Sequence, residues 1–464
     1  MEIKGEFIMQ GVTKQNIIVT SLIIATFLTA IEGTIVSTAM PKIVEDLGGS
    51  SLYTWVISVY LLATVISTPI FGKLADLYGR KIMFQIGVVI FLLGSTSSGL
   101  SQTMEQLVIF RLIQGIGAGA LATIPMTIIG DVFSFEQRAK IQGWISSVWG
   151  ISGVIGPIVG GFIVDAISWH WIFFMNLPFG IISLILLQQA LHEQLSKKKQ
   201  IIDYAGIITF TISMTAFLLA LNIVKVEKQM TTNLFFWLLI SLVFMCLFLF
   251  IEAKGKEPML PLSLFKNRFI TVSNIASFFI GFILVTVTFY IPLWVQGVSG
   301  LNATLSGIAM LPMSITWMIG AMITGKLFEK ITVASIAIIG STMIIFACIG
   351  LVFFQANTII PWMMVTTGIL GIGFGLSSTL YTVVVQSAVE WNFRGAAMGT
   401  INLMRNLGQT IGIAVSGLWL GEELHGSQLA ESLHHVFFFL VILAILTFLF
   451  AMMLIGRKLK QTTH

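Results

Sequence analysis

The sequence is poor in charge: Lys, Arg, Asp and Glu make up only 10% of its 464 residues, whereas 56% are hydrophobic. Soluble globular domains carry about 25% charged residues, so the composition excludes a water-soluble enzyme. Cysteine is also scarce. Cys246 and Cys348 are the only two, and both lie in apolar runs. We therefore expect neither a disulfide nor a metal site.

The motifs of several chemistries are missing. No G-x-x-x-x-G-K-[ST] loop is present, so ATP cannot be the energy source within this chain. None of the six histidines is spaced as a metal-ligand pair, and no Ser/His or paired-Asp constellation stands out. An intramembrane enzyme is therefore the least favoured class, and no cofactor is expected.

Long apolar runs are what the sequence has in abundance. A bilayer core of about 30 Å needs roughly 20 apolar residues per helix. Runs of that length predict an all-α polytopic membrane protein with fourteen transmembrane helices. They lie at residues 16–40, 53–71, 82–100, 106–130, 141–164, 170–191, 204–224, 233–251, 269–292, 304–324, 333–354, 359–382, 396–419 and 434–455.

Positive charge predicts the orientation of these spans. The two tails and every second loop hold 20 of the 25 Lys and Arg residues. By the positive-inside rule, both termini are therefore cytoplasmic, in a cell membrane whose lipid surrounds the spans. The net charge of +5 is then a topology signal, and no nucleic-acid partner is expected.

The chain repeats itself at a shift of 256 residues. Gly115, Gly117 and Gly119 fall on glycines 371, 373 and 375, and Arg138 falls on Arg394. This repeat predicts two six-helix bundles, at 1–192 and 268–464, separated by a linker at 193–267 with two inserted helices. Homologous halves are the plan of a secondary transporter, with access alternating around a central site. One such chain suffices as a functional monomer.

The loop after the second span combines glycines with charges. Gly72 and Gly79 are expected to permit a tight turn between helices. Asp76 lies between the two glycines and Arg80 follows the second. Both are at the point where the halves must part and close. We expect this charge pair to latch one conformation of the transporter.

Only three charged residues lie well inside the spans: Glu32, Arg111 and Arg405. Such groups are costly in a bilayer and mark functional sites. Glu32 lies nine residues before Pro41, roughly 13 Å from the outer surface, and Arg111 lies roughly 8 Å from the same surface. Burial favours a protonated carboxyl group and a nearby cation favours the ionised form. We therefore expect Glu32 to carry a proton and Arg111 to tune it. Arg405 has no evident acidic partner.

Two further groups of residues are candidates. Gly156, Gly160 and Gly161 are small residues that predict close helix packing. Pro157 lacks a backbone N–H group and is expected to bend the helix. A pocket for flat cations would use aromatic faces. The aromatic candidates within spans are Tyr60, Trp149, Tyr290 and Tyr381, and Arg405 is added to them as a substrate-binding candidate.

Several motifs resemble those of the major facilitator superfamily. The segment 72–81 resembles its signature loop, and 111–119 (RLIQGIGAG) resembles its fourth-helix motif linked to proton coupling. The segment 156–161 (GPIVGG) resembles the fifth-helix antiporter motif. The segments 31–41 and 169–180 resemble the fourteen-spanner drug:proton antiporter branch. Within that branch the chain is most similar to the QacA/EmrB-like group, particularly its Gram-positive multidrug exporters. That branch usually has aspartate where this chain has Glu32, and asparagine where it has Ser37.

The resemblance implies a proton-coupled multidrug efflux antiporter, which exports hydrophobic and cationic compounds in exchange for inward protons. It ties segment 156–161 to conformational change rather than to substrate binding. A second hypothesis is a facilitator exporting an endogenous solute, such as a siderophore, amino acid or osmolyte. A third hypothesis is a membrane sensor or scaffold that transports nothing. The repeated halves and the motif loop argue against it.

Overall fold

The protein is described by a computed structural model and is built of long α-helices. The structure describes residues 2–133, 135–191, 193, 203–227, 232–255, 262–328, 330–389, 394–421 and 425–456. The basic run at 197–199 and the C-terminal basic tail, on which part of the predicted orientation depends, lie outside these ranges.

Fourteen helices of 15 or more residues follow one another along the described chain, and each predicted apolar run falls on one of them. A single-turn helix, Trp171–Phe174, precedes the sixth. The helices are α1 Glu2–Leu47, α2 Tyr53–Tyr78, α3 Arg80–Gly99, α4 Met104–Val132, α5 Phe135–Ala166, α6 Asn176–Ala190, α7 Tyr204–Glu227, α8 Thr232–Lys254, α9 Arg268–Leu293, α10 Ala303–Leu327, α11 Val333–Val352, α12 Ile360–Ser387, α13 Arg394–Ser416 and α14 Gly426–Met452.

Twelve helical segments of the described chain are long and apolar enough to cross a membrane. The protein is therefore an all-helical, multi-pass membrane protein with twelve candidate spans. The fourteen predicted spans exceed this count by two. Helices α5 and α13 account for the difference, since neither is among the twelve.

The two halves use their glycines in the same way. Gly115 and Gly119 of α4 face α2, where an added Cβ would lie within 3 Å of backbone atoms. Gly371 and Gly375 of α12 face α10 equally closely. The predicted repeat thus corresponds to equivalent helix pairs, α2–α4 in one half and α10–α12 in the other.

The halves meet at the face predicted to be extracellular. Tyr53 Oη donates to the carbonyl oxygen of Phe289 (3.1 Å), and Gln296 Nε2 donates to that of Thr38 (2.9 Å). Asp165 at the end of α5 accepts hydrogen bonds from the backbone N–H of Thr304 (2.8 Å) and of the residue before it, at the start of α10. These contacts close that face between the halves.

Helices α7 and α8 pack on each other and on the boundary between the halves. The rings of Phe210 and Phe248 join them, with centroids 5.2 Å apart. The same apolar cluster includes Leu62 of α2, and Leu407 of α13 packs against it. The inserted pair therefore touches both halves.

A single residue, Gly79, joins α2 to α3. Its φ of 100° lies in the region that favours glycine, so this glycine makes the tight turn as predicted. Gly72 does not: it lies inside α2, packed against Thr123 of α4. The prediction that both glycines form the turn is therefore wrong for Gly72, because α2 continues for six residues beyond it.

Candidate functional site

A buried ion pair joins α1 to α4. The Nη1 of Arg111 donates to Oε1 of Glu32, and the two side chains are 2% and 0% exposed. The sequence placed both residues in the same half of the membrane, and the structure brings them into direct contact. Removing one partner of a buried pair destabilises a protein by roughly 3–5 kcal/mol, because the other charge is left buried and uncompensated.

The second carboxylate oxygen of Glu32 has a neutral partner. Asn176, the first residue of α6, donates from Nδ2 to Oε2 of Glu32 at 2.9 Å. The same nitrogen donates to Oγ of Ser95 on α3, also at 2.9 Å. Ser95 in turn donates to the carbonyl oxygen of Phe173. Both carboxylate oxygens of Glu32 therefore accept hydrogen bonds.

Further contacts hold the guanidinium group of Arg111 in place. Its Cζ lies 4.0 Å from the centre of the Tyr60 ring, a cation–π contact. Its Nη1 also donates to Oε1 of Gln114, one helical turn away, at 2.8 Å. Tyr60 was predicted as a substrate-binding residue, and the structure places it against the ion pair.

The residue next to Glu32 is exposed. Between residues 21 and 44 of α1, all of which are described, only Gly33 is exposed. An added Cβ there would meet nothing within 4 Å. Helix α1 packs against α4, α5, α6, α9 and α10, and none of them covers Gly33, which leaves a gap beside α1. Glu32 itself is fully buried.

The glycine-rich segment of α5 fits between the two halves. Gly156 and Gly160 lie against α1, where an added Cβ would come within 3 Å of Thr34 and Ile35 side-chain atoms. Gly161 faces the other half, where an added Cβ would lie 2.4 Å from the carbonyl oxygen of Ala303. The carbonyl oxygen of Pro157 lies against Gly307 of α10. The segment therefore forms part of the closed face.

The charged loop after α2 has a partner that the sequence did not indicate. Glu193 accepts hydrogen bonds from the backbone N–H groups of Arg80 (3.0 Å) and Lys81 (3.1 Å) at the start of α3. It also pairs with the Arg80 guanidinium group at 3.5 Å. The side chain of Asp76 lies outside the part of the chain that the structure describes, so its predicted pairing with Arg80 stays a prediction.

The other aromatic candidates have different surroundings. Tyr290 and Tyr381 are fully buried, and neither hydroxyl group has a hydrogen-bond partner among the described residues. The Tyr290 ring lies 6.3 Å from that of Tyr53 at the closed face. Trp149 is 55% exposed, one turn from Gly153, which bonds to Ser314 of α10. The structure does not bring these candidates to the ion pair.

Arg405 lies on α13, away from the ion pair. Its Nη2 donates to Oδ1 of Asn402 at 2.8 Å. No acidic side chain within the described ranges forms an ion pair with it. Its backbone carbonyl oxygen packs against Gly281 of α9.

Sequence reasoning missed Asn176, Ser95 and Gln114. Two of them lie within segments whose resemblance was noted, 169–180 and 111–119. The signal that could have found Asn176 and Gln114 is an amide side chain in an otherwise apolar stretch, since a buried amide needs hydrogen-bond partners. No group of metal-binding side chains occurs in the described ranges.

The comparisons with known proteins agree on one family. A family model, the Major Facilitator Superfamily, matches residues 22–413. The chain is 37% identical over 401 residues to Multidrug resistance protein 3 of Bacillus subtilis, an alignment that covers 86% of this chain and 78% of that protein. It is also 37% identical over 409 residues to the Multidrug transporter protein MdtP of the same organism, covering 87% and 75% of the two chains.

A solved structure shares the fold. The crystal structure of an auto-inhibited peptide transporter of the POT family superposes with a TM-score of 0.70, covering 97% of this chain and 98% of that one. The sequence identity is only 13%, so the likeness concerns the fold alone.

Proposed function

The chain belongs to the Major Facilitator Superfamily, a family of transporters rather than enzymes, and on that premise we propose that it exports hydrophobic and cationic drugs in exchange for inward protons. Two relatives with 37% identity are named for multidrug resistance or multidrug transport, which supports drugs as the substrates. The observation that carries the proton coupling is the ion pair of Glu32 with Arg111.

The proposal gives Glu32 two states. In the first state, proposed to be the ionised one, the carboxylate is paired with Arg111 and accepts a hydrogen bond from Asn176, while the predicted extracellular face is closed. When that face opens and the pair separates, a carboxyl group in low dielectric binds a proton. Return to the closed state restores the pair and releases the proton on the cytoplasmic side. A cationic drug that favours the ionised carboxylate competes with the proton.

We further propose that α5 and α13 also span the membrane, which gives fourteen spans and places both termini in the cytoplasm. α5 packs along α1 and α10, and α13 packs along α9 and α2, all of which are apolar enough to span. A helix enclosed by other spans can carry polar residues that face protein or a water-filled gap. The lower hydropathy of α13 is therefore compatible with a spanning position. In α5 the apolar stretch within the described residues, Ile151–Ala166, is shorter than a full span but continues into the rest of the helix.

Transport in proteoliposomes under an imposed pH gradient tests the function. Ethidium serves as the cationic substrate, for the native chain and for Glu32→Gln. Glu105→Gln is the matched control, since this carboxylate lies exposed at the start of α4. The double variant Glu32→Gln/Arg111→Gln avoids an uncompensated buried charge, in case the single variant does not fold.

We expect the native chain and Glu105→Gln to move ethidium only with the gradient, and both Glu32 variants to lose that dependence. If the native chain ignores ethidium, drug export is the wrong function. If a folded Glu32 variant still couples ethidium to the gradient, the exporter survives, but Glu32 is not the proton carrier.

A further inference from the structure

Helix α13 carries a stripe of polar side chains through its middle. Asn402, Arg405, Asn406 and Gln409 are spaced three and four residues apart and therefore share one helical face. Asn402 is exposed and the other three are partly exposed. We call these four residues the α13 polar stripe.

The other faces of α13 are occupied. Gly408 lies so close to α9 that an added Cβ would be 2.0 Å from the carbonyl oxygen of Phe278. Leu403 and Leu407 pack against the apolar cluster that α2, α7 and α8 share. Polar side chains in the middle of a span avoid lipid and face protein or a water-filled cavity. The exposure of Asn402 and the partial exposure of the other three side chains favour a cavity.

The stripe carries a net positive charge. Arg405 uses one N–H group for Asn402, out of the five that a guanidinium group offers. Among the described residues no carboxylate pairs with Arg405, and Glu32 is already bonded to Arg111 and Asn176. Of the three charged residues well inside the described helices, Glu32 and Arg111 compensate each other, and the charge of Arg405 is left uncompensated. Among apolar helices such a charge attracts an anion more strongly than it would in bulk water.

We propose that Arg405, with the amide groups of the α13 polar stripe, binds the carboxylate of an amphiphilic substrate. The planar guanidinium group matches a carboxylate through two parallel hydrogen bonds, and the neighbouring amides offer further donors. The transported compounds therefore include amphoteric ones, which carry an acidic group beside a cationic aromatic body. This deepens the proposed export function and rests on it for its physiological meaning.

A pair of dyes that differ only in one acidic group tests the site. Tetramethylrhodamine has a free carboxylate, and its methyl ester does not. Binding of each to the detergent-solubilised full chain is followed by fluorescence anisotropy, for the native chain, Arg405→Gln and Arg405→Lys. Lys254→Gln is the control, because it removes an exposed cation at the end of α8. Thermal unfolding checks that each variant is folded.

We expect Arg405→Gln to weaken binding of the free acid by on the order of tenfold relative to the ester, as loss of a charge-assisted hydrogen bond does. Arg405→Lys should restore part of this preference, and Lys254→Gln should leave it at the native ratio. Equal loss for both dyes, or no loss for either, would overturn the proposal. Arg405→Gln orphans no charged partner, so its folding is not at risk from a broken ion pair.

Two further comparisons distinguish the possible outcomes. If added phosphatidylglycerol displaces the free acid in the native chain more effectively than tetramethylrhodamine does itself, the anion is a lipid headgroup and the proposal fails. The binding measurement needs no pH gradient. A failure of ethidium transport with an intact acid preference would therefore remove the proposed proton-driven export and leave the anion site standing.

Discussion

Asn176 donates a hydrogen bond of 2.9 Å to the oxygen of Glu32 that Arg111 does not use. The bond ties the first residue of α6 to the middle of α1, so the state of Glu32 is coupled to three helices rather than two. Asn176 touches neither the gap at Gly33 nor Arg405 in the described contacts. We therefore regard it as a positioning residue for the proton site.

Replacing Asn176 by leucine removes this donor and leaves one oxygen of the Glu32 carboxylate without its hydrogen bond. The carboxylate then loses a charge-assisted contact that holds it in place beside Arg111. We expect gradient-driven ethidium transport in proteoliposomes to fall several-fold, while ethidium binding to the solubilised chain stays at the native level. A purely structural residue would weaken binding and transport together.

Ser95→Ala is the graded control for this prediction. It removes the second partner of the Asn176 amide but leaves the bond to Glu32. Gradient-driven transport should fall by less than in Asn176→Leu. A larger fall for Ser95→Ala than for Asn176→Leu would contradict the positioning role of Asn176.

The contact of Gly307 with Pro157 should control closure of the predicted extracellular face. A Cβ added at Gly307 would lie 2.2 Å from the carbonyl oxygen of Pro157, whereas one added at Gly325 on the same helix would meet nothing within 4 Å. Gly307→Ala should therefore favour the open face. The readout is labelling by a membrane-impermeant maleimide of Thr38→Cys, a buried position, in a chain with Cys246 and Cys348 replaced by serine.

We expect Gly307→Ala to raise the labelling rate several-fold, and Gly325→Ala to leave it at the parental value. The two variants make the same chemical change on one helix, so helix propensity cancels between them. Equal labelling of both would show that the α5–α10 contact does not govern closure.

Asp165 should stabilise the same closed face through charge. Its carboxylate accepts hydrogen bonds from the first backbone N–H groups of α10, where a negative charge is favoured by about 0.3–1 kcal/mol, and by up to about 2 kcal/mol when partly buried. Asp165→Asn should speed maleimide labelling of Thr38→Cys. Glu45→Gln, which loses only an exposed pairing with Lys42 on the same face, should not. An unchanged rate for Asp165→Asn would exclude this latch.

From depth alone, the sequence allowed Glu32 and Arg111 to be placed in the same half of the membrane, within reach of one another or of a shared cavity. Charges inside a bilayer are few, and α1 and α4 cross it in opposite directions, so two residues at similar distances from one surface meet easily. The helices themselves followed from the apolar runs. Helix α13 is absent from the twelve apolar spans because polar side chains lower its hydropathy. Helix α5 is absent because its apolar stretch within the described residues, Ile151–Ala166, is shorter than a full span.

The rest depended on contacts between distant parts of the chain. Asn176 and Ser95 are neutral and lie 144 and 63 residues from Glu32, so no charge pattern relates them to it. Glu193, the first residue of the predicted linker, pairs with Arg80 from more than a hundred residues away in the chain. Glycine is equally compatible with a turn and with close helix packing, so the sequence alone could not decide between them at Gly72. Its contact with Thr123 of α4 shows that packing applies.

Gly79→Ala should destabilise the protein. A residue with a Cβ at a φ of 100° is strained by roughly 1–2 kcal/mol, and this glycine is the whole connection between α2 and α3. We expect a lower midpoint of thermal unfolding in detergent than for Gly399→Ala, whose Cβ would enter open space. An identical midpoint for the two variants would show that the turn tolerates a different backbone conformation.

Proton release on drug binding tests the central claim most directly. Ethidium is added to the detergent-solubilised chain in weakly buffered acidic solution, and a pH-sensitive dye follows the protons that leave. The account predicts that the native chain and Glu105→Gln release protons as ethidium binds, and that Glu32→Gln binds ethidium without releasing them. Release of protons by Glu32→Gln equal to that of the native chain would contradict the assignment of Glu32 as the proton carrier.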